Sequence, residues 1–128
     1  MDYHFSKTVD LPFGQAVEKA TAALKEEGFG ILTEIDIKDT LKKKLEVDFR
    51  NYRILGACSP GHAHKALMAE SHIGLMLPCN VIVQEHENGD VEVSAVDPVA
   101  SMQAVKNKEL EDVAQTVRGL LKKVINRL

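Results

Sequence analysis

Leu110, Val113, Ala114, Val117, Leu120, Leu121, Val124, Ile125 and Leu128 recur at spacings of three and four, which places one apolar stripe along a C-terminal amphipathic helix. Acids lead it (Glu109, Glu111, Asp112) and bases trail (Arg118, Lys122, Lys123, Arg127), as the helix dipole favours. Gly119 falls on its polar side, either as a tolerated surface glycine or where a partner chain comes close. The same period over Phe13, Ala16, Val17, Ala20, Ala23 and Leu24 predicts an earlier helix, with Asp10 as N-cap, Pro12 in the first turn and Gly28 as the stop.

Elsewhere the pattern shortens to a period of two. Residues 2–9 alternate loosely and read as a strand. From Phe29 to Ile37 the alternation puts Phe29, Ile31, Thr33, Ile35 and Ile37 on one face, with Glu34 and Asp36 on the other. Asp39 then caps a short helix through Lys44, with Leu41 and Leu45 inward. Tyr52 to Cys58 is apolar enough for the middle of a sheet. Ser59 and Pro60 open a helix whose inner face is Ala63, Ala66 and Leu67. Pro78 and Cys79 lead into a strand from Asn80 to His86, and Asn88-Gly89 turns it into a hairpin with Val91 to Val96. Asp97-Pro98 ends that strand, and 98–106 is a connector with a short turn of helix. This order predicts an α+β fold: a mainly antiparallel sheet of about five strands with helices packed on one face.

Composition narrows the picture. The chain has 128 residues, enough for one domain with one core, and shows no repeat or linker. A net charge of −3 argues against nucleic acid as a partner, which needs a concentrated basic face. The runs Lys42-Lys43-Lys44 and Lys122-Lys123 read as solvated helix faces. No apolar run approaches the roughly 20 residues that span a bilayer, and MDYHFSKTVD is unlike a signal peptide. The expectation is a cytoplasmic protein with reduced thiols.

Candidate chemistry concentrates between Tyr52 and Val83, which holds both cysteines, Cys58 and Cys79, and three of the five histidines, His62, His64 and His72. If the strands ending at Cys58 and beginning at Cys79 are antiparallel neighbours, both thiols reach one sheet edge near His62. Cys58 directly precedes a helix N-terminus, which favours thiolate. Three functions fit. Zinc would take Cys58, Cys79 and His62 as ligands, although no Cys-x-x-Cys pair is present. A thiol-dependent redox protein or enzyme would use Cys58, with Cys79 as resolving thiol or His62 as base. A small-molecule-binding domain would enclose an apolar ligand between the last helix and the sheet. Against zinc, the cysteines also read as small buried hydrophobes at strand ends, and against a ligand pocket, an apolar stripe like that of the last helix is more often plain core. His64 is two helical positions from His62 and points elsewhere, and His4, His86 and Asp97 read as surface or turn residues.

The segments Ile54-Leu55-Gly56-Ala57-Cys58-Ser59-Pro60 and Ile73-Gly74-Leu75-Met76-Leu77-Pro78-Cys79-Asn80-Val81, with Ala63 and Ala66-Leu67 between them, resemble the bacterial and archaeal domain-of-unknown-function family three-hundred-and-two. Leu45 to Phe49 and Val96-Asp97-Pro98 extend the likeness over nearly the whole chain. Ser59 departs from the asparagine common in that family, although both residues cap helices. The resemblance implies an α+β fold like a TATA-binding-protein repeat, with a curved sheet, and a homodimer. It brings no function.

Overall fold

The computed structural model of the chain describes residues 2–128. Strands β1 (His4–Val9), β2 (Gly30–Asp36), β3 (Tyr52–Cys58), β4 (Cys79–Glu85) and β5 (Val91–Val96) form one sheet in the order β1-β5-β4-β3-β2, antiparallel at every pairing. Helices α1 (Phe13–Glu26), α2 (Ile37–Leu45), α3 (Pro60–Ala69), α4 (Pro98–Ser101) and α5 (Lys108–Asn126) complete the α+β architecture, with a 3-10 helix at Ser71–Met76.

Register explains which face is buried. Leu55 faces Val81, which faces Ala95; with Ala57, Val83 and Val93 these residues share one face and are almost fully buried. Against it pack Ala16, Ala20 and Leu24 of α1 and Val117, Leu121 and Val124 of α5, so both amphipathic stripes cover the same side. The opposite face carries Ile54, Ile82, Gln84 and Glu92 at partial exposure and an exposed Asn80. A smaller cluster of Ala66, Ile73, Met102, Leu110 and Ala114 ties α3 to α5.

Local starts and stops differ from expectation in instructive ways. Pro12, not Asp10, occupies the N-cap of α1 and makes no side-chain cap bond. Helix α2 begins one turn early: Asp36 Oδ1 accepts the Asp39 N–H at 3.0 Å, so Asp36 is the cap and Ile37 is helical instead of extended. Two acids spaced by three both satisfy the capping pattern, and the structure uses Asp36, whose backbone is still extended where Asp39 is already inside the helix. Leu45 is 66% exposed at the end of this short helix and does not turn inward.

The alternation of β2 is broken by a bulge. Ile31 pairs with Ala57 but Thr33 pairs with Gly56, so Leu32 is an extra residue and Thr33 and Ile35 move to the opposite face from Ile31. One inserted residue reverses the parity of everything after it. Gly28, at φ +86, does end α1 as expected, and Gly89, at φ +91, sits in the β4–β5 turn.

Candidate functional site

Antiparallel pairing of β3 and β4 places Ala57 opposite Cys79, so Cys58 and Cys79 lie at the same end of the sheet. Between them in sequence, α3 and the 3-10 helix cross over and pack near α5. The space left under this crossover is a cavity of about 280 Å³. Its wall takes Phe29 and Leu32 from around the β2 bulge, Ala57, Cys58 and Cys79 from the strand ends, and Ala63, Ala66 and Leu67 from α3. Met102 and the α5 residues Val113, Ala114 and Val117 close the far side, and the lining is almost entirely apolar.

The polar groups collect at Cys58, Ser59 and His62. Ser59 occupies the N-cap of α3, yet its hydroxyl makes no cap bond. Ser59 Oγ lies 2.8 Å from His62 Nδ1 instead, which holds the imidazole against the helix it starts. Leu67, expected on the inner face, is 44% exposed and borders the cavity opening.

The two thiols differ in environment. Cys79 is buried, and desolvation followed by the nearby Cys58 pushes its pKa from an ordinary 9.0 to about 11. At neutral pH it is therefore a protonated thiol. Cys58 is half-buried, and both sulfurs are unbridged.

Of the sequence-predicted ligands, Cys58, Cys79 and His62 share the cavity, whereas His64 lies in the outer groove between α3 and α5 beside Glu109 and Asp112. His72 is exposed in the 3-10 helix, 3.5 Å from Glu70. Among the described residues no group of three or more His, Cys, Asp or Glu side chains is placed to hold a metal ion.

Other contributors had no signal in the pattern. Met102 lies in the connector and reaches the cavity only because α4 turns the chain back. Asp97, expected as a turn residue, is buried: one oxygen accepts the Val99 N–H at 3.0 Å and the other pairs with Arg118 Nε at 3.1 Å. It thereby fixes α4 against α5. Asn107 does similar work, since its Oδ1 caps α5 and its Nδ2 donates to Ala69 O at 2.8 Å, joining the end of α3 to the start of α5.

No described helix is long and apolar enough to cross a membrane. A crystal structure of an uncharacterized conserved DUF302 protein from Bacillus stearothermophilus is similar to this chain, with a TM-score of 0.92 and 26% identity over 99% of this chain and 98% of that one. No curated protein matches. Residues 5–128 match the family described as Domain of unknown function DUF302, and the chain belongs to that family.

Proposed function

We propose that the chain is a small-ligand-binding protein whose site is the apolar cavity between α3, α5 and the Cys58/Cys79 end of the sheet. The cavity itself carries the reading: about 280 Å³ of space lined from five parts of the chain. Interiors are otherwise close-packed, and an apolar void of about 150 Å³ already accepts benzene. Four methionines make the test direct, because Met102 lines the cavity while Met68 is 76% exposed. In a spectrum of labelled methionine methyls, 1-octanol should shift Met102 saturably and leave Met68 still, and Ala114→Leu should remove the effect. A Met102 signal that does not saturate below the solubility of the alcohol refutes the reading.

A thiol-dependent redox function of Cys58 is the second reading, supported by the placement of Cys58 and Cys79 at one sheet end and in one cavity wall. Mild diamide treatment should then remove two hydrogens by intact mass without intermolecular linkage; an unchanged mass with intact fold removes this reading. Zinc on Cys58, Cys79 and His62 would require the three side chains to converge, and a metal-free preparation with full thermal stability counts against it.

A second copy of the chain is the partner implied by the family resemblance. The exposed side chains Leu67, Met68, Leu75 and Met76, on α3 and the adjoining 3-10 helix, support that reading. Sedimentation of the wild type and of Met68→Glu/Leu75→Glu tests it: a wild-type dimer split by the charges is expected, and a wild-type monomer at tens of micromolar ends it.

A further inference from the structure

The cavity is chemically lopsided, and that asymmetry specifies a ligand. This inference rests on the cavity being a ligand site and goes on to name the chemical class. The wall from Phe29 through Ala66 and Met102 to Val117 offers no polar side chain, whereas His62, Ser59 and Cys58 lie together at α3's start. No carboxylate is among the lining residues, so nothing in the wall repels an anion. The imidazole is the one basic side chain that lines it. Its Nδ1 is engaged by Ser59 Oγ at 2.8 Å. When the hydroxyl donates to Nδ1, the ring proton sits on Nε2, and the ring becomes a fixed donor. The uncapped first turn of α3 adds partial positive charge on that side.

We infer that the cavity takes an amphiphilic monocarboxylic acid, its carboxylate on His62 and its hydrocarbon body along Ala66, Ala114 and Val117. Scaled from the benzene-sized void, about 280 Å³ holds roughly ten non-hydrogen atoms, the size of a medium-chain acid. Such a ligand matches the single polar end and leaves no polar atom against the apolar wall. A polyol or a nucleotide would leave most of its hydrogen-bonding groups unpaired there. The side chains act as a clamp: Ser59 orients His62, His62 selects the head, and the wall measures the tail.

The experiment titrates octanoate and 1-octanol, equal in chain length and different in head group, into the full chain with the Met102 methyl as reporter. Octanoate should bind wild type at least tenfold tighter than the alcohol. His62→Leu should cut octanoate affinity about tenfold and leave octanol unchanged, and Ser59→Ala should fall between. Ala114→Leu should abolish both, and Ala63→Leu repeats that block from the half-buried side of α3 should the first variant not fold. Equal affinity for the two probes, or indifference of octanoate to His62→Leu, overturns the carboxylate inference while leaving the cavity reading in place. Failure of both probes to bind overturns both. Loss of binding in Met68→Glu/Leu75→Glu together with dimer dissociation also overturns it, since a second copy would then supply the site.

Discussion

Gly56→Ala probes the joint between the β2 bulge and the strand that starts at Cys79. A Cβ at position 56 would collide with Thr33 Oγ1 and lie 2.8 Å from Pro78 Cγ, well inside the roughly 3.5–4.0 Å of an ordinary carbon contact. Thr33 stands there only because the bulge at Leu32 moved it onto Gly56's face. Pro78 is a closed ring and cannot swing aside as a long side chain would. Overpacking of this kind costs about 1–3 kcal/mol, with the upper end applying when two rigid neighbours are struck. Replacing a strand glycine returns roughly 0.5–1 kcal/mol of backbone entropy. The net expectation is a loss of about 2 kcal/mol in urea unfolding with an unchanged m-value, followed by circular dichroism because the chain has no tryptophan. Thr33→Ala alone should change little, as Thr33 is exposed, but combined with Gly56→Ala it should restore about half the loss by removing the Oγ1 collision. A Gly56→Ala protein as stable as wild type, or a double variant that is simply additive, would refute the bulge-and-proline account.

The alkaline limb should depend on Cys79. Its folded pKa of about 11 exceeds the ordinary 9.0, so its contribution is fully present below pH 9 and is lost as pH rises toward 11. Two units correspond to about 2–3 kcal/mol, and Cys79→Ala should flatten the curve of stability between pH 9 and pH 11. Asp97→Ala should cost about 2–4 kcal/mol by chemical denaturation, because it strands Arg118 and the Val99 N–H together, and Asp97→Asn should recover part through the cap. Gly119→Ala should raise stability by up to about 1 kcal/mol, since a Cβ there meets open space; destabilisation would mean the position is covered in solution. With 5,5′-dithiobis(2-nitrobenzoic acid) at pH 7.5, Cys58 should react first and Cys79 only on unfolding; equal rates would contradict the burial of Cys79.

Periodicity alone determined the elements that bury the most surface. The stripes of α1 and α5 and the hairpin at Asn88-Gly89 depend on neighbours within a few residues, where spacing and turn chemistry decide the outcome. The same locality made Cys58 and Cys79 legible as one sheet end, given antiparallel neighbours. What required the tertiary structure was choice among equals. Asp36 and Asp39 both suit a cap, and the extended backbone kept to the end of β2 leaves Asp36 in that place. A bulge is one residue of slack that no alternation reveals, and it sends Leu32 to the cavity and Thr33 to Gly56. Asp97 reads as a turn residue until Arg118, contributed from 21 positions away, gives its buried charge a partner. The cavity is the extreme case. A void is the failure of several elements to touch, and no single segment carries the imprint of what its distant neighbours leave unfilled.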